Sequence, residues 1–183
     1  MTRAITLWLL CVALALPVLA QTVTPDPGPE RKKLDVFVGD WDFAGEVKAV
    51  PELGMTDAGP VTYHHVNQMT NGGFFLESRR TGSSPRGPVT ELFVYGYDPG
   101  TKSYRQYAFD NRGRMRVFTA TVDGLRWSFT GTSTGADGTV TTERYTLTYA
   151  ADLKSATVRS EHSQDGKVWH ERLTGTYTKS STR

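Results

Sequence analysis

Leu125-Arg126-Trp127-Ser128-Phe129-Thr130 is the stretch on which the fold turns. Apolar and polar residues alternate through it without a break, the period of a β-strand that buries one face and wets the other. Immediately before it stands Asp123-Gly124, a pair that tolerates the positive φ angles of a tight hairpin.

The same grammar extends in both directions. Asp98-Pro99-Gly100, Asn111-Arg112-Gly113, Asp137-Gly138 and Asp165-Gly166 each separate two alternating runs. Strands are expected near Trp41–Val47, Val61–Met69, Phe74–Arg80, Glu91–Tyr97, Tyr104–Asp110, Arg114–Val122, Leu125–Thr132, Thr139–Tyr149, Thr157–Ser163 and Val168–Lys179. About ten short strands joined by tight turns make an all-β, antiparallel up-and-down meander, and closing it into a barrel removes its exposed edges. A two-sheet sandwich would call for longer crossing connections. The longer loops, Pro51–Pro60 and Thr81–Pro88, are rich in Gly and Pro and are expected to border a barrel mouth.

Upstream the pattern changes. Residues 1–20 read as a cleavable signal peptide: Arg3, an apolar run from Ile5 to Leu16, then Val18-Leu19-Ala20 as small residues at a cleavage site. That run is short against the roughly 20 apolar residues that span a bilayer. The expected location is therefore periplasmic or secreted, with no membrane insertion after cleavage. Cys11, the single cysteine, leaves with the signal, so the mature chain is expected to carry no disulfide and no thiolate. Residues 21–33, with Pro25, Pro27 and Pro29, read as a flexible linker, and 34–179 as one barrel domain. One short helix is expected over Glu30 to Val38, with Leu34, Phe37 and Val38 on one side and Gly39 at its end.

Over 183 residues, 21 Lys and Arg face 19 Asp and Glu. The signs are interspersed, which argues against a nucleic-acid surface. Arg112, Arg114 and Arg116 alternate and are expected to form a solvated strand face rather than an anion site.

Two segments carry a resemblance. Leu34-Asp35-Val36-Phe37-Val38-Gly39-Asp40-Trp41 is similar to the helix and Gly-x-Trp motif that open lipocalin and calycin barrels. Tyr95-Gly96-Tyr97-Asp98-Pro99-Gly100-Thr101-Lys102-Ser103-Tyr104, followed by Phe109-Asp110 and Gly113, resembles the central hairpin of domain-of-unknown-function family 1579, exported bacterial proteins with a calycin-like barrel. Ser163-Gln164-Asp165-Gly166-Lys167-Val168-Trp169 fits the same family. The resemblance spans most of Leu34 to Lys179; it implies a fold and brings no catalytic residues. Calycin-like barrels related to nitrobindin hold haem through one histidine near the mouth. His170 is the position to compare, and its expected outward phase argues against a haem ligand. No cofactor is expected.

Chemistry is sparse elsewhere. His64 and His65 are adjacent in a strand and point to opposite faces, so they cannot share a metal. The face of Val61, Tyr63, His65, Asn67 and Met69 is the inward one, and His162 is a second interior candidate. Asp40 and Asp42 flank Trp41 and point away from it, as surface groups rather than an acid–base pair. There is no Gly-x-Ser-x-Gly elbow and no glycine-rich phosphate loop, so an enzyme is not expected. Trp41 is expected to cover one end of the barrel, worth about 2–3 kcal/mol on burial, with its N–H in need of a partner. Phe43, Tyr63, His65, Leu92, Val94, Tyr107, Trp127, Phe129, Tyr145, Leu147, Trp169 and Leu173 are the expected interior.

Such an interior either fills the barrel or leaves room for one small ligand. The leading expectation is a protein that binds a small hydrophobic or amphipathic ligand, with Tyr63, His65, Tyr107 and Trp127 as its contacts. The alternatives are a solid-cored envelope protein that meets partners through the Arg112–Arg116 stripe or an edge strand, and an enzyme with His65 as base. Ligand identity and oligomeric state are not readable from the residues.

Overall fold

The computed structural model describes residues 26–134, 138 and 140–180, so the signal-peptide reading and the first part of the linker lie outside the described residues. Ten antiparallel strands close into one barrel in chain order, each hydrogen-bonded to its sequence neighbours and the first to the last. They are β1 (Gly39–Val47), β2 (Gly59–Thr70), β3 (Phe75–Ser84), β4 (Gly87–Asp98), β5 (Ser103–Asp110), β6 (Met115–Asp123), β7 (Arg126–Thr134), β8 (Val140–Tyr149), β9 (Ser155–Ser163) and β10 (His170–Lys179). The closure runs from Trp41 opposite Lys179 to Val47 opposite Leu173. The all-β, up-and-down barrel with one short N-terminal helix is thus the observed fold.

That helix begins earlier than the periodicity suggests. α1 (Gly28–Lys32) lies inside the segment read as linker, and a 3-10 turn over Lys33–Phe37 continues it. Tyr104 fixes it, donating its hydroxyl to the Glu30 carbonyl at 2.8 Å, while Arg31 lies 4.9 Å over the Phe74 ring. Gly39 follows with φ +105°, a backbone that side-chain-bearing residues resist, and turns the chain into β1. Among the described residues no helix is long and apolar enough to cross a membrane.

The helix closes one end of the barrel. Leu34 and Phe37 are buried there with Trp41, Leu76, Tyr104, Trp127 and Tyr149. The Trp41 indole N–H donates to the Phe37 carbonyl at 2.9 Å, which satisfies the donor its burial would otherwise strand. Phe37 meets Trp127 edge-on, with ring centroids 4.9 Å apart.

Four residues expected inside are on the outside. In β4 the inner row is Val89, Glu91, Phe93 and Tyr95, which puts Leu92 and Val94 on the outer face. In β5 it is Tyr104, Gln106 and Ala108, and Tyr107 stands 42% exposed. Both strands carry large residues at both phases, so alternation alone could not choose. Trp169 is outside too, stacked under Arg144 at 4.0 Å. A bulge between Glu171 and Leu173 shifts the register of β10, so Glu171 leaves the face of Leu173 and pairs outside with Lys48 and Arg159. The same shift sets His170 opposite His162 in the ladder. Thr81–Pro88 is no long loop: it is mostly strand, turning at Pro85-Arg86.

Candidate functional site

At the end away from the helix the inner wall does not close on itself. A cavity of about 250 Å³ opens there. Its floor is aromatic and hydrogen-bonded. Tyr145 donates to the Gln106 carbonyl oxygen at 2.6 Å, and the Gln106 amide donates to the Tyr95 hydroxyl at 2.7 Å. Burial pushes the Tyr95 and Tyr145 hydroxyls up, so they act as neutral donors and acceptors. Tyr145 stacks on Phe129 with centroids 4.3 Å apart. Phe93, Phe118, Leu147 and Val158 give apolar wall between the polar groups.

Close approach shapes one side of this interior. A Cβ on Gly45 or Gly175 would come within 2.5 Å and 2.4 Å of the Phe43 ring, so only glycine lets that ring lie flat on the wall between β1 and β10. Tyr63 stacks on Phe43 at 5.4 Å.

Above the floor is a chain of buried charge. Glu91, on β4, is contacted by Arg80 of β3 and accepts from Arg116 of β6 at 2.6 Å. Arg116 lies 3.7 Å from Glu143 of β8, and Glu143 lies 3.7 Å from His162 of β9. The guanidinium of Arg80 sits over the rings of Tyr63 and Phe93, at 4.3 and 5.0 Å, which fixes its plane. At the mouth, Asp57 holds Arg172 at 2.5 Å and Arg86 at 2.9 Å, and Asp110 holds Arg114 at 2.8 Å. Arg112 completes the rim, donating to the Arg86 carbonyl. The arginine stripe expected on a solvated face therefore lines the cavity: Arg116 is inside and Arg112 and Arg114 border the opening. The segment 51–60 borders the mouth as expected, through Met55 and Asp57.

His65 is buried on the cavity wall. Its Nδ1 lies 3.3 Å from the Ser78 hydroxyl and its Nε2 3.4 Å from the Tyr177 hydroxyl. Burial, then the Arg80 charge, holds its pKa well below the usual histidine value, so the ring is neutral. Burial lowers His162 as well; Glu143 opposes this, while Arg172, Arg116 and Arg114 reinforce it.

Of the four expected contacts, Tyr63 and His65 line the cavity together. Trp127 is buried but belongs to the helix-capped end, and Tyr107 is on the outer face. The charged members, Arg80, Glu91, Arg116 and Glu143, were missed because charge in a strand reads as solvent-facing; the signal available was their place in the same alternating rows as Leu76, Phe93, Phe118 and Tyr145. His170 is half-buried and not on the cavity wall. Among the described residues, no cluster of three or more His, Cys, Asp or Glu is arranged to hold a metal.

The family described as "Protein of unknown function (DUF1579)" matches residues 26–179. Among solved structures, that of Rv2717c from M. tuberculosis is similar, with a TM-score of 0.58, 17% identity, and coverage of 85% of this chain and 100% of that one. At that identity the likeness is one of fold. No curated protein matches.

Proposed function

The chain belongs to that family, and from this premise we propose that it is a binding protein that holds one small amphipathic ligand in the open half of the barrel. The observation that carries the reading is the cavity itself: about 250 Å³ of space walled by aromatic and aliphatic side chains and crossed by fixed polar groups. A water takes about 30 Å³ of liquid volume, so the space suits on the order of eight waters or a ligand of about ten non-hydrogen atoms. Tyr63 and His65 serve as contacts in this reading, and Trp127 and Tyr107 do not. The role is binding rather than turnover: His65 is neutral and engaged by Ser78 and Tyr177. The signal-like residues 1–20 support export to the periplasm or beyond, where such a carrier would meet its ligand.

Native mass spectrometry of the full chain purified from its own host tests the reading. A bound species of small mass is expected, released on denaturation, and at 100-fold excess over its Kd it should stabilise the fold by about 2.7 kcal/mol. Leu173→Trp, which fills the cavity from β10, should remove the bound mass and leave a folded barrel. A bare polypeptide in every preparation, with no thermal shift from any small amphiphile, would sink the proposal.

A further inference from the structure

We infer that the ligand is an organic acid, its carboxylate seated against Arg80 and Arg116 and its apolar part against Phe93, Phe118 and Leu147. The inference rests on the binding reading above and adds the charge of the ligand to it. Three independent features support it.

The first is charge balance. Six arginines line the cavity against four carboxylates, those of Asp57, Glu91, Asp110 and Glu143. The two histidines of the wall add nothing to the excess, because both are held toward their neutral forms. A low-dielectric cleft with excess positive charge concentrates anions and repels cations.

The second is unfilled donor capacity. Each guanidinium offers five N–H groups, and no carboxylate here can take them all. Among the described residues the buried Nε–H groups of Arg80 and Arg116 have no hydrogen-bond partner, and neither does Glu91 Oε2 beside them. A buried, unpartnered donor on a charged group is costly, and an acceptor on the ligand relieves it. Glu91 lies between the two arginines and holds both heads near one place on the wall, so a single carboxylate group is within the compass of the pair.

The third is what surrounds that place. An inorganic anion would leave the walls of Phe93, Phe118, Leu147 and Val158 facing water. A short chain or single ring beyond the carboxylate buries them, and the cavity volume limits the whole acid to about ten non-hydrogen atoms. The excess cations at the rim, Arg112 among them, lie on the path a diffusing acid must take.

Isothermal titration of the full chain with three ligands of one length tests the inference: octanoate, octanamide and octylammonium. Octanoate is expected to bind at least about tenfold tighter than octanamide, as a charge-assisted contact requires, and to weaken as salt is raised. Octylammonium is expected not to bind. In the double variant Arg80→Gln with Glu91→Gln, which removes charge in pairs, the preference for octanoate over octanamide should shrink without vanishing, because Arg116 and the excess positive charge remain. An octanoate preference below tenfold, or binding of octylammonium, overturns the acid inference and leaves the binding reading standing. Failure of all three to bind overturns the acid inference, and a bare chain in native mass spectrometry overturns the binding reading as well. The comparison on the unsubstituted chain stands whether or not the double variant folds.

Discussion

The two ends of this barrel are built by the same alternation and do opposite things. Read from the helix-capped end to the open end, the inner row of β8 is Tyr149, Leu147, Tyr145, Glu143 and Thr141. That of β4 is Tyr97, Tyr95, Phe93, Glu91 and Val89, and that of β6 is Val122, Ala120, Phe118 and Arg116. Each row begins with rings or aliphatics and reaches charge part-way along. At the capped end rings pack on rings, and the Trp41 indole and the Tyr104 hydroxyl donate to backbone carbonyls. At the open end charges are held out of water by one another. Burying a large apolar side chain contributes about 1.5–3 kcal/mol, whereas a buried ion pair returns little beyond its own desolvation. The capped half therefore supplies stability, and the open half keeps a fixed set of charges around a space.

The strongest way to break this division is at Trp127. Trp127→Ala should cost about 3–5 kcal/mol in chemical denaturation, because the ring is 2% exposed and packed between Phe37, Tyr104 and Phe129. The folded fraction should keep its ligand affinity, since this ring lies outside the cavity wall. A cost below about 1 kcal/mol would deny the capped end its role.

Next in size is Arg80→Gln. It strips Glu91 of one partner but leaves Arg116 at 2.6 Å, so the expected loss is about 2 kcal/mol. Adding Glu91→Gln should recover part of it, because the stranded charge goes too. If the double variant is less stable than the single by the full cost of a second independent mutation, the charges of the open end do not act as a paired set.

How far the sequence shows this division depends on the strand. β7 was legible outright: Trp127 and Phe129 alternate with Arg126 and Ser128, and they are inside. β2 was legible too, and Tyr63 and His65 fall where its phase predicts. β4 and β5 were not. Leu92-Phe93-Val94-Tyr95 is apolar at both phases, and the inner row is the one that contains Glu91. Outside, Leu92, Phe109 and Met115 sit side by side across three strands, as do Val94, Tyr107 and Val117. Cross-strand packing on an outer face favours the same residue types as a core does. The bulge in β10 left no mark in the residues, so Trp169 and Glu171 took the wrong face. Arg116 was misread for the opposite reason: an arginine in a strand implies water until its partners Glu91 and Glu143, tens of residues away, are brought beside it.

A smaller effect separates the ends by pH. His65 has a folded pKa well below its unfolded value near 6.5. Below that value the unfolded chain takes up a proton that the folded one refuses, so this part of the stability is complete above pH 6.5 and declines as pH falls. The slope is at most about 1.4 kcal/mol per pH unit for the one group, and His162 adds in the same direction. Denaturation midpoints at pH 7.5 and 5.5 should show the fall, and His65→Gln should flatten it. An unchanged slope in that variant would mean the neutral state of His65 is not maintained by the fold.

The smallest expected effect is at Tyr107, and it is informative because it should be nearly nothing. Its ring is on the outer face between Val94 and Val117, away from the cavity and from the helix cap. Tyr107→Ser should change stability by no more than about 0.5–1 kcal/mol, the scale of a cross-strand contact, and leave ligand affinity within twofold. Tyr63→Ser, on the inner wall under Arg80, should weaken binding in the same titration. Equal losses from the two would mean that inside and outside are not energetically distinct. The reading of the open end as a site would then lose its contrast with the bare wall of the barrel.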